Sequence, residues 1–585
     1  MRLSGVPDFS SSRRLAGVAV AVTLVVSIAL VFLYWRTGAR LADGDDAMRL
    51  VLVRDLLSGR GWFDQWLGRL QPPLGSFMHW SRLLDGAIAG AIGLMRVFLP
   101  PARAEAAVLV LWPLAWLVPA LVCAFVLSRR LGGDAAVLAC AILFLIDLQA
   151  YEQFRPGRID HHSVQIVMAL IATACFAARA NRARWAILAG MAAGLGLAIG
   201  LEAVLFQALV GGAYGIGWAL DSSGGKAARR YGLAFAATLG LCFLLQTPPG
   251  RWTLAFCDSL GVNLLAGGVA AGLGLFAVTI LCERWPVSGR FAALALVGLA
   301  AVGICLALDP QCVRGPFAAA DPRLHPVWLD GNLEIRSWVR LWRTLPDTAV
   351  FTIAAGILVA AAALIRIARE LPRPPADILL ICVLALVAVV MASDAFRMQD
   401  YVFWLGLPVL AAECSALAGR RPRLLFVVAL GFLCSPIMVG SAADRAMHLW
   451  VVHSKPPAPS PALQMRCTDP EAYQRLSALP PGLVAADIDL GPFILLNTRD
   501  SVLAAPYHRM DWGILSAHDA LAARQSEAEG QLRRLRVRYV LDCRDSPVKG
   551  GAGSLASDLR HGHTPAWLQA LSTPDQVIGV YGLRR

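Results

Sequence analysis

Apolar runs close to twenty residues long recur through the first 440 positions of this chain, at 15–35, 105–127, 134–150, 163–179, 185–201, 203–220, 231–246, 262–282, 291–308, 347–365, 377–393, 401–418 and 424–440. A helix of about 20 residues crosses the hydrocarbon core of a bilayer, and only a closed helix satisfies its own backbone there. The pattern predicts a polytopic α-helical membrane protein of about thirteen spans. Composition agrees: 57% of the 585 residues are hydrophobic and 16% charged, too apolar for an ordinary soluble enzyme of this length. The first run follows Arg13-Arg14 and is long enough to be retained as an anchor rather than cleaved as a signal peptide.

The net charge of +13 does not indicate a nucleic-acid partner, because the basic residues fall in short clusters between apolar runs rather than on one face. Arg13/Arg14, Arg129/Arg130, Arg179/Arg182/Arg184, Lys226/Arg229/Arg230, Arg284/Arg290, Arg366/Arg369/Arg373 and Arg420/Arg421/Arg423 occupy alternate connections. Basic loops stay in the cytoplasm, so the N-terminus is expected there and the remaining connections face outward from a bacterial inner membrane. Those outer segments are a long first loop at 36–104, the turns at 151–163 and 393–400, the loop at 309–346, and everything beyond about 441. The membrane part is expected over 1–440 and a linker over 441–464, stiffened by Lys455-Pro456-Pro457-Ala458-Pro459-Ser460-Pro461. A small periplasmic α/β domain follows over 465–585, with strand-like runs at 482–488, 492–496, 501–505, 537–541 and 576–581 around a helix near 517–535. Thirteen cysteines show no metal-thiolate spacing, but Cys467 and Cys543 can pair in an oxidising compartment.

Chemistry-bearing residues gather on the outer side. The first loop opens Asp43-Gly44-Asp45-Asp46. Acids so placed can bind a hard cation or accept a proton, or simply complement the dipole of a helix they begin. The second outer turn reads Arg155-Pro156-Gly157-Arg158-Ile159-Asp160-His161-His162. Asp160 with His162 can complete a metal site, and Arg155 or Arg158 can hold phosphate through a fork of donors, or meet anionic lipid headgroups. Glu334 offers a carboxylate in the 309–346 loop, Arg397 stands at a membrane boundary, and Glu202 is assigned no role. In the outer domain Tyr507, His508 and Arg509 follow a strand and can touch substrate or form a plain polar loop.

Taken in order, these pieces resemble the GT-C glycosyltransferase superfamily, and most of all the catalytic subunits of bacterial and archaeal oligosaccharyltransferases, over residues 15 to 440. In that family a catalytic Asp of the first outer loop precedes an Arg-Asp pair, as Asp45 stands nine positions before Arg54-Asp55 here. The family's D-x-D or D-x-E motif begins the second outer loop, where Asp160-His161-His162 puts His162 at the second carboxylate's place. Glu334, with Asp330 as the alternative, matches the Glu of the fifth outer loop. Arg397, followed by Tyr401 and Leu407-Pro408-Val409, is similar to the phosphate-facing Arg before a late span. The W-W-D-Y-G motif that reads an acceptor sequon is missing; Met510-Asp511-Trp512-Gly513 and His448-Leu449-Trp450 are its poor substitutes.

The resemblance implies inverting transfer of a sugar from a polyprenyl-phosphate or polyprenyl-pyrophosphate donor, drawn from the membrane lipid, to an acceptor on the periplasmic face. Asp45 and Asp46 would be the catalytic acids. Asp45, Asp160, His162 and Glu334 would hold a divalent metal, Mn or Mg, and Arg397, Arg158 and Arg155 the donor phosphate. Two other readings stand beside it: a metal-independent polyprenyl-monophosphate-sugar transferase, like the protein mannosyltransferases or lipid A aminoarabinose transferases, and a transporter or flippase of an anionic lipid-linked substrate. Sugar, acceptor and oligomeric state are left open at this level.

Overall fold

A computed structural model describes residues 40–178, 182–418, 466–545 and 551–584, with parts of 21–32 and 438–445. Most of the first and last expected spans, the Arg13/Arg14 and Arg420/Arg421/Arg423 clusters, and the linker lie outside the described residues. Every expected span between 105 and 418 is helical. In chain order the helices are α1 (Gly44–Leu57), α2 (Arg82–Met95), α3 (Pro101–Ile146), α4 (His162–Ala177), α5 (Arg182–Ile199), α6 (Val204–Leu220), α7 (Gly225–Gln246), α8 (Val262–Leu281), α9 (Val287–Leu308), α10 (Pro346–Arg369), α11 (Ala376–Asp394) and α12 (Gln399–Ala418). Among the described residues, 7 helices are long and apolar enough to cross a membrane, and α4, α5 and α6 are shorter apolar helices beside them.

The two spans expected at 105–127 and 134–150 share α3, which breaks at Gly133 with φ 73° and ψ −162°. Only glycine adopts that conformation without steric cost, so the helix reverses there. One end of the resulting hairpin is fixed by Arg130, paired with Asp377 at the start of α11. At the other end the Gly157 N–H bonds the Leu109 carbonyl at 2.8 Å. Arg130, of the Arg129/Arg130 cluster, and Gly157, of the second candidate segment, therefore lie at opposite ends of this hairpin.

The first loop, the 309–346 loop and the C-terminal unit form one packed body. The first loop pairs β1 (Trp66–Leu67) with β2 (Ser76–Phe77), and the C-terminal unit carries a five-stranded sheet of order β4-β3-β5-β7-β6, built from β3 (Leu483–Ala485), β4 (Ser501–Val502), β5 (Tyr539–Cys543), β6 (Leu568–Ala570) and β7 (Ile578–Leu583). Strands β4, β3 and β5 are parallel, and β7 and β6 continue antiparallel. Beyond β4 the first outer loop extends the edge: Gln71 N–H bonds Val502 O at 2.8 Å, and Val502 N–H bonds Arg69 O at 2.9 Å. Ala47, Met48, Val51 and Leu52 of α1 share a core with Phe493, Ile494, Val502 and Leu503. Burying both faces of this contact fastens α1 to the C-terminal unit.

Two local expectations are corrected. Residues 492–496, read as a strand, form the helix Gly491–Asn497, because Pro492 fills its first turn and the apolar run is buried on all sides between the sheet and α1. The single helix near 517–535 is two helices, Asp511–Ala522 and Gln525–Arg534. Cys467 and Cys543 form a disulfide, and a second one, not foreseen, joins Cys257 to Cys312.

Candidate active site

A cavity of about 1080 Å³ opens where one end of the helical bundle meets the first loop, the 309–346 loop and the C-terminal unit. Its chemistry begins with the cap of α1. The Asp43 carboxylate accepts the N–H groups of Asp45 at 2.9 Å and Asp46 at 3.1 Å, so the acids at the helix start face fixed directions. Asp45 lines the cavity, whereas Asp46 turns away and is fully buried. One Asp46 oxygen accepts the backbone N–H groups of Ile159 at 2.7 Å and Asp160 at 2.9 Å. The second outer turn is thereby hung from the residue next to Asp45, and the two acidic segments expected to converge do so.

Asp160 is buried and balanced. It accepts from Arg49 at 3.1 Å and from His161 Nδ1 at 2.6 Å, and its second oxygen, 3.3 Å from His162 Nε2, is buried without a hydrogen-bond donor. Arg49, itself buried, reaches Asp85 at 2.8 Å and lies 4.5 Å over the Trp80 ring. Glu202 completes the group: it accepts from His162 Nδ1 at 2.9 Å and pairs with Arg397 at 3.2 Å. A carboxylate on Nδ1 fixes the ring so that Nε2 is the nitrogen facing Asp160. Arg397 and Glu334 both line the cavity.

The electrostatics sort these carboxyls. Removal from bulk water, then Asp160, Asp43 and Glu334, pushes Asp45 well above the usual carboxylate range. Burial also lifts Asp46, to about 7. Burial would lift Asp160 and Glu202 as well, but the flanking imidazoles and guanidinium groups hold both well below the usual range. His161, for which burial alone would favour the neutral ring, is raised to about 9 by Asp160 and Glu202.

Not every expected residue reaches the cavity. Arg158, expected at the donor phosphate, is buried beneath the floor, where Asp43, Asp46 at 3.2 Å and Gln153 at 2.9 Å take up its guanidinium. Arg155 pairs with Glu152 at 3.2 Å away from the cavity wall. Asp330, the alternative to Glu334, pairs with Arg340 at 2.7 Å on the surface. Tyr507, His508 and Arg509 do line the cavity: the Tyr507 hydroxyl is 3.4 Å from the Gly44 carbonyl, and Asp258 accepts from His508 at 2.7 Å and from both arms of Arg509 at 2.8 and 2.6 Å. Sequence reasoning missed Glu202, Arg49 and Asp258. The one signal for Glu202 was a lone acid between two apolar runs, a position where ionisable groups are costly.

The donors suit a divalent ion. Asp160, His161 and His162 each offer an atom within 4.8 Å of the others, and the unpartnered Asp160 oxygen is a ready ligand. A set containing imidazole fits Mn²⁺ or Zn²⁺ better than Mg²⁺, which prefers oxygen alone.

No family model matches the sequence, and no curated protein does. Among solved structures, the chain is similar to the Archaeoglobus fulgidus oligosaccharyltransferase tethered with an acceptor peptide containing the NVT sequon, with TM-score 0.64 and 15% identity over 90% of this chain and 69% of that one. The archaeal oligosaccharyltransferase AglB from the same organism, in complex with an inhibitory peptide and a dolichol-phosphate, gives TM-score 0.62 and 15% identity over 97% and 74%. A complex of the A. fulgidus enzyme with Zn and sulfate gives TM-score 0.58 and 16% identity over 90% and 68%. The likeness is one of architecture: the chain shares the fold of these archaeal oligosaccharyltransferase structures.

Proposed function

We propose that the chain is a membrane glycosyltransferase that moves a sugar from a polyprenyl-(pyro)phosphate donor to an acceptor, with inversion, at the periplasmic face of a bacterial inner membrane. The observation that carries this reading is the convergence of Asp45, Glu334, Arg397, His162 and Glu202 on one cavity at the end of a helical bundle, with Asp160 buried directly behind His162. The dolichol-phosphate held by AglB supports a lipid-linked donor, whose tail accounts for the many apolar helices. Both disulfides lie at the cavity end, in keeping with an oxidising outer compartment and a cytoplasmic N-terminus.

In the proposed reaction the acceptor attacks the anomeric carbon from the face opposite the phosphate. The bond to the phosphate oxygen breaks with its electron pair, and the acceptor's proton passes to Asp45. A carboxyl kept above its ordinary range is a better proton acceptor than an exposed one. Arg397 meets the charge that gathers on the leaving oxygen, and Glu202 holds Arg397 and His162 in register. Asp45, Asp160 and His162, with Glu334, would hold a divalent metal, which when bound supplies positive charge against the phosphate. Tyr507, His508 and Arg509 form part of the cavity wall.

Asp45→Ala is expected to abolish transfer to the cellular acceptor while the purified protein melts as the parent does. Substantial remaining transfer would remove Asp45 from this role. Mass spectrometry of lipids from a deletion strain identifies the donor as the species that accumulates. The 2.6 Å pairing of His161 with Asp160 favours a second reading, a metal-independent monophosphate enzyme, since it compensates the acid without a cation. Chelation separates the two.

A further inference from the structure

The cavity has a second charged region, past His79 from the Asp45 end, and its charges do not balance. Arg251, on the loop after α7, lines the cavity and lies 3.5 Å over the Phe77 ring and 6.0 Å from that of Phe256. Its guanidinium makes no hydrogen bond or ion pair with any described residue. The nearby acid, Asp258, is taken on both oxygens by Arg509 and His508. Arg509 also lies 4.9 Å from the Phe256 ring, so two guanidinium groups meet at one aromatic box while Arg509 alone holds the carboxylate. His79, whose Nδ1 is buried without a partner, packs against His508 at 4.9 Å between ring centroids, and Phe317 packs on the other side of His508.

Burial and the neighbouring Arg509 press on the charged form of Arg251, and no carboxylate pairs with it to offset them. A fork of donors held on aromatic faces and aimed into a cavity matches a planar oxyanion. The cavity, at about 1080 Å³, exceeds the roughly 300–1,000 Å³ of ordinary small-ligand pockets, enough for a sugar chain rather than one unit.

We propose that Arg251, backed by Phe77 and Phe256, is a subsite for an acidic sugar of the lipid-linked glycan, its guanidinium paired with the sugar's carboxylate. The assignment rests on the glycosyl-transfer reading and deepens it: the substrate is an anionic glycan, recognised at a distance from the reacting bond.

Direct binding tests it apart from transfer. The probes are trigalacturonate and its carboxyl-reduced neutral counterpart, titrated against the full chain in detergent by tryptophan fluorescence or calorimetry. The acidic probe is expected to bind about tenfold or more tightly than the neutral one, the size of a charge-assisted pair. Arg251→Gln is expected to erase that preference and Arg251→Lys to recover part of it, while Asp45→Asn keeps it in full. Melting temperatures of the Arg251 variants should stay at the parent value, since the side chain bonds no other described residue. Equal affinity for the two probes, a preference that survives Arg251→Gln, or inorganic phosphate competing as well as the acidic trisaccharide would each overturn the subsite. Retained transfer by Asp45→Ala would instead overturn the catalytic reading and leave the binding result standing.

Discussion

Glu202 is the residue on which the proposed geometry turns, and Glu202→Gln isolates its charge. Glutamine keeps the volume and one acceptor oxygen toward His162 Nδ1, but removes the negative charge between His162 at 2.9 Å and Arg397 at 3.2 Å. A hydrogen bond to an ionised group contributes about 1.5–3 kcal/mol and a neutral one about 1 kcal/mol, so each contact weakens by on the order of 1 kcal/mol. Two such losses amount to about 2 kcal/mol, or roughly 30-fold, within the 10–100-fold range typical of groups that orient metal ligands. The assay is a Mn²⁺ titration of transfer, with free Mn²⁺ followed by electron paramagnetic resonance. Half-saturating Mn²⁺ should rise roughly fivefold for the His162 contact, and transfer at saturating metal should fall by a further factor of about five as Arg397 loses its anchor. Half-saturation and kcat/KM both within twofold of the parent would refute the argument that Glu202 orients this centre.

Asp46→Ala should behave unlike any change at Asp45: it strands two buried backbone donors, at about 1–3 kcal/mol each, and should lower the detergent melting temperature by several degrees. A variant that melts with the parent would show that the second outer turn does not hang from this carboxylate. EDTA should stop transfer and Mn²⁺ restore it more fully than Mg²⁺; indifference to EDTA moves the chain to the monophosphate class. Asp258 is buried, which alone would raise its carboxyl, yet His508 and Arg509 hold it far below the usual 3.8. A depressed group contributes stability above its unfolded value and loses it as pH falls, so melting temperature should drop on acidification below about pH 4, and less so in Asp258→Asn. Parallel pH curves for the two proteins would count against that ion pair.

The legible and illegible parts of this chain divide on physical lines. Asp45 and Asp160 stand out in the sequence because each lies in a short polar segment between apolar runs, and the fold brings those two segments together. Arg158 and Arg155 sit in the same short stretch, yet one is drawn under the floor by Asp43 and Asp46 and the other pairs locally with Glu152. Spacing along the chain cannot tell a guanidinium that faces a cavity from one that neutralises buried acids behind it. Residues 492–496 failed for a related reason: a short apolar run buried on every side has no periodicity to separate strand from helix.

What the amino-acid order determined alone was the solvent each segment requires. Twenty-residue apolar runs demand lipid, alternate basic clusters mark one end of the bundle, and the remaining polar residues are left at the other. What only tertiary structure decided was the partner of each buried charge. Glu202 meets His162 40 residues earlier in the chain, and Asp258 meets Arg509 251 residues later. A charge removed from water is stable only beside its complement, and that neighbour is chosen by the packing of helices and loops distant in sequence.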